Sequence, residues 1–303
     1  MDVKEDHRAP AAADGAVTIR QMTRTEFDLS LDWARDEGWN PGIGDGEAFW
    51  SADPEGFIAA ERDGAVVGTG AIVRYSPAFG CMGLFLGSPE QLRPGIGREL
   101  WYARRDLLRS RLDLDGPRGG AIGMDAVENM SDFYARGGFE VSHRQTRHAG
   151  SVVAASPEAN LVALTELPFD LVAAYDMAHF GAPRPAFLRR WIDPPGGRGL
   201  ALLADDGALA AIGVIRPCVD GGFKIGPLFA ETATAADLVF RGLAAHARGE
   251  TVYLDTPRNN EAALALAGRY GMTEAFSCRR QYFGPPPALP WQRIFGVTTF
   301  ELG

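Results

Sequence analysis

The feature that most constrains the fold of this chain is an internal repeat. Residues 124–147 (MDAVEN…GGFEVSHRQTR) align with residues 254–280 (LDTPRNN…YGMTEAFSCRR). In this alignment Asp125 corresponds to Asp255, and both segments end in an arginine that lies nine residues after a glycine. Self-similarity over such a distance is the signature of a duplicated structural unit. We therefore expect two degenerate copies of one domain.

The order of the predicted elements supports this duplication. The first copy reads as strand, helix, hairpin, strand, glycine-rich loop, helix, strand, helix and strand, and the second copy repeats that order. Each copy carries a hairpin signal, at Asp63-Gly64 and at Asp206-Gly207. We predict an α/β (α+β) fold of two tandem domains, each with a mixed central sheet flanked by helices.

The length and composition fit this organisation. The 303 residues suffice for two domains of ordinary size, and 46% of them are apolar. We expect a disordered tail over residues 1–15, an N-terminal domain over 16–150 and a C-terminal domain over 151–303. The charged and Ala/Pro-rich tail has no apolar segment typical of a signal peptide.

Charge and cysteine content exclude several classes of function. The net charge of −9 and the pI near 5.1 argue against a nucleic-acid partner, which needs a basic face. No run reaches the roughly 18 apolar residues of a membrane span. The three cysteines are far apart, and the five histidines show no i, i+4 pair, so we expect no metal site and a cytoplasmic location.

The glycine-rich segment SPEQLRPGIGREL, at residues 88–100, is the clearest candidate for a ligand site. It stands between an apolar strand and a helix. The first amides of a helix have no partner within the helix, and the helix dipole places partial positive charge there. Glycines let a phosphate approach the backbone closely. The segment therefore indicates an anion site, although a simple β–α connection is the alternative.

Two motifs resemble the GNAT superfamily of acyl-CoA-dependent N-acyltransferases. The loop 92–97 (LRPGIG) is similar to the family's strand-loop-helix signature, and FYARGGF, at residues 133–139, resembles its later Tyr-x-x-x-Gly-Phe helix end. The segments DEGWNPGIGD, YDMAHFGAPRPAFLRRWI and RIFGVTTFELG are also similar to a bacterial subgroup with tandem GNAT domains. The resemblance implies acetyl-CoA as co-substrate and a small-molecule primary amine as acceptor.

The resemblance also implies which residues bind the acyl carrier. Backbone groups of one strand would bind the pantetheine arm, and the loop would bind the pyrophosphate; these residues are Phe85, Leu86, Gly87, Leu92, Arg93, Pro94, Gly95, Ile96, Gly97 and Arg98. The sequence departs from the family pattern at the start of this loop. Leu92 stands where the family has Gln or Arg, and Pro94 has no amide to donate. We interpret Arg104 and Arg105, further along the helix, as a solvated face.

The catalytic groups follow from the same resemblance. Tyr134 would act as the acid that protonates the departing thiolate, and a core tyrosine is its alternative. Asp125 and Glu128 are candidate carboxylates near the acceptor. Asp125 has a counterpart in the second copy, which favours a structural role for it, so we prefer Glu128 as general base.

The acceptor site and the role of the second copy are the remaining expectations. Trp39 and Asn40 lie where GNAT domains place acceptor-lining loops, and Asp125 is kept as a substrate-binding candidate. The second copy has no Gly-x-Gly loop and has Ala267 where the first has its tyrosine. We therefore expect the N-terminal domain to bind CoA and perform the chemistry.

Other functions stay open from the sequence alone. These are transfer of a longer acyl group, cleavage of acyl-CoA without an amine, and a non-catalytic protein that senses CoA or serves as a scaffold. The oligomeric state is open as well, a homodimer included.

Overall fold

The computed structural model describes residues 16–88, 95–116, 119–153 and 160–303. Its first half contains six strands and four helices within the described residues. They are β1 (Thr18–Gln21), α1 (Arg24–Asp36), α2 (Asp45–Ala52), β2 (Phe57–Arg62), β3 (Ala65–Ser76), β4 (Phe79–Gly87), α3 (Ile96–Arg111), β5 (Ala121–Val127), α4 (Ser131–Ala135) and β6 (Glu140–Ser151).

The second half presents the same order of elements and then one more strand. Its elements are β7 (Leu161–Ala163), α5 (Phe169–Phe180), α6 (Pro185–Trp191), β8 (Arg198–Leu203), β9 (Leu209–Pro217), β10 (Phe223–Ala230), α7 (Ala233–Ala244), β11 (Thr251–Pro257), α8 (Glu261–Arg269), β12 (Thr273–Phe283) and β13 (Ile294–Gly296). The mixed α/β class predicted from the sequence is confirmed. The predicted boundary at 150/151 falls at the end of β6.

Local sequence signals account for several of these elements. Asp63 and Gly64 both have positive φ values, 52° and 79°, which suit the tight turn between β2 and β3. Gly207, with φ of 82°, serves the matching turn between β8 and β9. Helix α1 begins with a capping box in which Thr23 and Glu26 satisfy each other's backbone amides.

The two halves share one continuous sheet because they exchange their last strands. The described strands follow the order β1-β2-β3-β4-β5-β12-β6-β11-β10-β9-β8-β7, and β13 pairs with β10. Strand β12 of the second half thus pairs with β5 of the first, while β6 of the first half pairs with β11 of the second. The sequence left open which domain each last strand completes, and the exchange joins the two mixed sheets into one. Each half is completed by a strand from the other.

Two buried ion pairs join the exchanged strands. Arg280 on β12 donates through Nε and Nη2 to the two carboxylate oxygens of Asp125 on β5, at 2.9 and 2.5 Å. Arg147 on β6 binds Asp255 on β11 in the same two-pronged way, at 2.7 and 2.8 Å. These are the aspartates and arginines that correspond in the internal repeat. The exchange pairs the arginine of each half with the aspartate of the other.

Strands β4 and β5 diverge after a short parallel stretch. They pair only over residues 79–81 and 121–123. On its other edge β4 contains a bulge, because Thr69 pairs with Leu86 whereas Ala71 pairs with Gly83, so that β4 has one residue more than β3. Leu84 in the bulge has a φ of 46°. The divergence leaves the β5-facing edge of β4 without a paired strand beyond Cys81.

The equivalent gap in the second half is filled. Strands β10 and β11 also pair briefly, over residues 223–225 and 252–254, and β10 has the same one-residue bulge before Leu228. Here, however, β13 pairs with β10, and Val297, directly after β13, donates its amide to the carbonyl of Asp255 on β11. The chain itself therefore occupies the gap between β10 and β11.

Residues 297–303 run from the filled gap to the open one. A side chain on Gly226 in β10 would collide with the carbonyls of Val297 and Thr298, and one on Gly83 in β4 would collide with the carbonyl of Glu301. All seven residues of this segment, hereafter the terminal segment, are buried. The Tyr75 hydroxyl donates to the carbonyl of Leu302 at 3.0 Å. The terminal segment thus forms one wall of the open gap.

Candidate active site

The open gap between β4 and β5 holds a cavity of about 190 Å³. Its walls come from the bulge of β4, from β5, from helices α3 and α4, and from the terminal segment. The residues used below are Phe85, Trp101, Arg104, Asp125, Tyr134 and Glu301. We call this space the donor cavity.

A smaller cavity of about 70 Å³ adjoins the donor cavity. Trp39, Asp125 and Glu301 line both spaces, whereas Glu37 and Arg147 line only the smaller one. We call it the acceptor cavity. The two spaces therefore share one stretch of wall, and the β4 bulge lines only the donor cavity.

The amino end of α3 is built as the sequence predicted. Gly95 is its N-cap residue, with φ of 99°, and no side chain caps the first turn. Among the described residues, a Cβ on Gly97 would have only the Phe85 ring within 4 Å, at 3.8 Å. Leu92, Arg93 and Pro94 lie outside the described residues. Ile96 is buried and Arg98 is exposed.

Of the three predicted pantetheine-binding residues on β4, the structure places Phe85 at the gap, whereas Leu86 and Gly87 line neither cavity. Phe85 lines the donor cavity, and its ring lies 4.9 Å from the Arg104 guanidinium carbon. Leu86 is buried, and Gly87 pairs with Gly68 of β3. The ladder with β3 uses one edge of β4, and the edge toward β5 is the one that a bound chain would contact.

Tyr134 is buried in the wall of the donor cavity. Its ring stacks on Trp101 with the centroids 5.8 Å apart. Burial raises the pKa of the phenol to about 12, although the nearby Arg104 cation opposes that rise. Tyr134 is therefore protonated at neutral pH, which is the state that a proton donor needs.

Arg104 is not on a solvated face. It is buried, and its Nη2 donates to the carbonyls of Ala71 and Gly83, both at 3.0 Å. Burial lowers the pKa of the guanidinium to about 10, so it still carries a positive charge at neutral pH. The interpretation of Arg104 from the sequence was wrong. Arg105, in contrast, binds the carbonyl of Gly137 and the side chain of Asp106 at the helix surface.

Glu128 lines neither cavity. Arg279 Nε donates to its carboxylate at 2.7 Å, and Arg144 lies 3.1 Å away. The hydrogen bond from Arg279 holds the pKa of Glu128 below its usual value, which weakens it as a base. These contacts give the predicted role of Glu128 no support.

The other carboxylate and the two acceptor-loop residues have distinct positions. Asp125 reaches both cavities, but its oxygens accept hydrogen bonds from Arg280 and from Gln145. Trp39 lines both cavities. Asn40 lies outside both cavity walls, where its side chain bonds to the backbone of Asp220 and Gly221. Asn40 therefore ties the acceptor loop to the second half.

Glu301 is a candidate that the sequence reasoning missed. This carboxylate residue is buried and lines both cavities, next to the β4 bulge at Gly83. Its carboxylate accepts a hydrogen bond from the Thr299 hydroxyl and interacts electrostatically with Arg147 and Lys224. Only the fold brings residue 301 to a site built by residues 82–134.

Comparison with known proteins agrees with this geometry. Residues 172–296 match the family model of the acetyltransferase (GNAT) domain. Over 291 residues the chain is 26% identical to the holothin acyltransferase of Pseudoalteromonas sp. (strain SANK 73390), and the alignment covers 94% of each protein. The chain therefore contains a GNAT domain, and these matches support an acyltransferase of GNAT type. The matched domain lies in the half whose gap is filled.

Solved structures share the fold of this chain. A Pyrococcus horikoshii protein assigned as an acetyltransferase has a TM-score of 0.80 at 21% identity, with 99% of this chain and 100% of that one covered. The tandem GNAT protein from the clavulanic acid biosynthesis pathway has a TM-score of 0.61 at 16% identity, with 90% and 100% covered.

Two kinds of feature are absent from the described residues: a group of metal ligands and a membrane-spanning helix. No three His, Cys, Asp or Glu side chains in the described ranges are grouped so as to hold a metal ion. Among the helices described, none has the length and apolarity to span a bilayer.

Proposed function

We propose that the first half binds an acyl-CoA in the donor cavity and transfers its acyl group to a primary amine of a small molecule in the acceptor cavity. The observation that carries this proposal is the contrast between the two halves. The gap between β4 and β5 is open and lined by Tyr134, whereas β13 occupies the gap between β10 and β11. The pyrophosphate would bind at the first turn of α3, from Gly95 to Arg98.

The chemistry assigns a role to two side chains. The amine nitrogen attacks the thioester carbonyl carbon, the carbon–sulfur bond breaks, and an amide and a free thiol result. Tyr134 gives its phenolic proton to the leaving sulfur, while Glu301 takes the proton that the nitrogen loses. Proton exchange with solvent then restores both groups. Positioning both substrates beside the wall that the two cavities share supplies much of the rate enhancement.

The kind of acceptor rests on the curated relative. That protein is by its name an acyltransferase for holothin, and it aligns with 94% of this chain. A small acceptor also suits the acceptor cavity, which measures about 70 Å³. We therefore propose a small-molecule amine, and acetyl-CoA is the simplest donor to test first.

A pair of equivalent substitutions tests which half binds the acyl carrier. Gly97→Asp places a carboxylate in the first turn of α3, where a Cβ meets no obstacle and negative charge suits the helix. It should weaken acetyl-CoA binding by at least about tenfold, because a like charge would face the pyrophosphate. Thr234→Asp makes the same change at the same position of α7 and should leave affinity unchanged. Titration calorimetry measures both.

The controls decide between the halves. Gly97→Asn changes the same atoms without the charge and should bind nearly as wild type does. A loss of affinity in Thr234→Asp but not in Gly97→Asp would place the carrier in the second half. Absence of binding by the wild-type chain at millimolar acetyl-CoA would favour a scaffold over an acyltransferase site here.

The proposed role of Glu301 as a base can be tested through the pH dependence of turnover. Glu301→Gln should lower turnover by about tenfold at pH 7, and the rate should recover at alkaline pH, where the free amine needs no base. Glu37→Gln is the matched control, since Glu37 lines the acceptor cavity but is exposed. A loss in Glu301→Gln that is equal at every pH would show that Glu301 is not the base.

A further inference from the structure

The donor cavity contains a buried cation that the described part of the chain leaves without an anionic partner. Arg104 is 1% exposed, and no carboxylate of the described residues lies within 4 Å of it. The other buried arginines of the two halves differ in this respect. Arg147, Arg184, Arg216 and Arg280 each bind an aspartate.

Hydrogen-bond donors around this cation are also unused. Nη2 of Arg104 binds two carbonyls, but its Nε and Nη1 have no acceptor among the described residues. The indole Nε1 of Trp101, three residues earlier on α3, is likewise buried without a partner there. Both side chains line the donor cavity. Three buried nitrogen donors beside the donor cavity thus lack acceptors among the described residues, and a bound ligand would supply them.

The surrounding chain makes room for the guanidinium at this place. A side chain on Gly70 of β3 would collide with Arg104, so glycine is required for the observed position. A buried charge without an opposite charge costs several kcal/mol. If residue 104 served only to pack the core, an apolar side chain of similar size would make the fold more stable. Leu100 and Leu108, on the same face of α3, are such apolar residues.

Arg104 lies beside the place where the acyl group would sit. Its Nη2 binds the carbonyl of Gly83 at the β4 bulge, and Tyr134 is close enough for its pKa to respond to the charge. The Phe85 ring covers the guanidinium from one side. The cation is therefore at the acyl end of the donor cavity, and the pyrophosphate site at Gly95 to Arg98 is two turns of helix away.

We propose that the acyl group of the donor ends in a carboxylate and that Arg104 binds it. The donor is then the CoA monothioester of a short dicarboxylic acid. This inference rests on the proposed function, since it concerns the same cavity. Nη1 of Arg104 donates to the carboxylate, the guanidinium charge balances the carboxylate charge, and the indole of Trp101 offers a second donor.

Succinyl-CoA and butyryl-CoA provide a matched pair of donors, because both carry four acyl carbons and only the first has a carboxylate. Calorimetry on the wild-type chain should give an affinity at least about tenfold higher for succinyl-CoA. Arg104→Met should remove this preference while binding free CoA as wild type does. Arg104→Lys keeps the positive charge but removes the guanidinium group, so this variant should retain part of the preference. Arg109→Gln, an exposed arginine of the same helix, should change nothing.

The outcomes separate this inference from the function on which it rests. Equal affinities of the wild-type chain for succinyl-CoA and butyryl-CoA would overturn the carboxylate proposal and leave an acyl-CoA site intact; Arg104 would then bind a neutral carbonyl. Failure of both thioesters and of CoA to bind would overturn the proposed function itself. The wild-type comparison needs no variant, so poor folding of Arg104→Met would not prevent a decision.

Discussion

Replacing Tyr134 by phenylalanine should lower kcat by about 10²–10⁴-fold, the usual contribution of a positioned proton donor. The change removes only the hydroxyl. The ring keeps its stacking on Trp101, 5.8 Å away, so the fold and the affinity for acyl-CoA should change little. The measurement is thiol release from acyl-CoA in the presence of an acceptor amine, together with a calorimetric titration of CoA.

The pKa of Tyr134 adds a second expectation. Because burial raises this pKa to about 12, the phenol stays protonated through the range of an ordinary assay. Loss of the Tyr134 proton should therefore produce no fall in wild-type kcat below about pH 10.

Tyr282 supplies the matched control for this substitution. It is also a buried tyrosine, but it lies outside both cavities. Tyr282→Phe should keep the wild-type rate. If Tyr134→Phe were as active as Tyr282→Phe, the thiolate would leave without an acid from Tyr134, and the tyrosine would be a packing residue.

The repeat predicted the order of the elements but not which half each last strand completes. The alignment makes Asp125 equivalent to Asp255 and Arg147 equivalent to Arg280. In a duplicated chain these groups form two equivalent ion pairs in either arrangement: without exchange of the strands Arg147 would bind Asp125 and Arg280 would bind Asp255. The sequence is therefore consistent with both arrangements. The choice depends on long-range packing, which local patterns do not contain.

The candidate site residues also divide into those that a local motif marks and those whose surroundings depend on distant parts of the chain. Tyr134 and the amino end of α3 were proposed from the sequence because a motif of neighbouring residues marks them. Glu128 was preferred because it has no counterpart in the second copy, but its neighbours Arg144 and Arg279 come from strands far along the chain. Glu301 was missed for the same reason, since it meets β4 only through the folded terminal segment.

Arg104 was misinterpreted although a local signal was available. Leu100, Arg104 and Leu108 are spaced four residues apart and share one face of α3. Both leucines are fully buried, so the periodicity of the helix places the arginine on its buried stripe. A charged residue on such a stripe indicates either an ion pair or a ligand site. Charge alone was an insufficient reason to assign it to solvent.

The exchange of strands leads to a prediction on stability. Arg280→Met should lower the free energy of unfolding by about 3–5 kcal/mol, because it leaves the Asp125 carboxylate buried without its counter-ion. The loss should shift Tm by on the order of 10 °C for a chain of this size. Urea titration followed by tryptophan fluorescence and by circular dichroism gives the change, provided that the two probes coincide.

The pH dependence of this loss follows from the sign of the remaining charge. Burial already raises the pKa of Asp125, and without Arg280 that rise becomes larger. A carboxyl whose pKa is higher in the folded state than in the unfolded state destabilises the fold at high pH, and protonation relieves the penalty as the pH falls. The loss caused by Arg280→Met should therefore be larger at pH 8 than at pH 5.

Paired substitutions distinguish the buried ion pair from a general effect of removing an arginine. Asp125→Leu combined with Arg280→Met removes both charges and should recover much of the lost stability, since apolar replacement of a whole buried pair is often neutral. Arg35→Ala, which breaks an exposed pair with Asp36, should lower the stability far less than Arg280→Met does. Arg147→Met should behave as Arg280→Met does, because the exchange makes the two pairs equivalent. If Arg280→Met cost no more than Arg35→Ala, the ion pair could not be what joins β12 to the first half, and backbone pairing with β5 would have to hold the halves together.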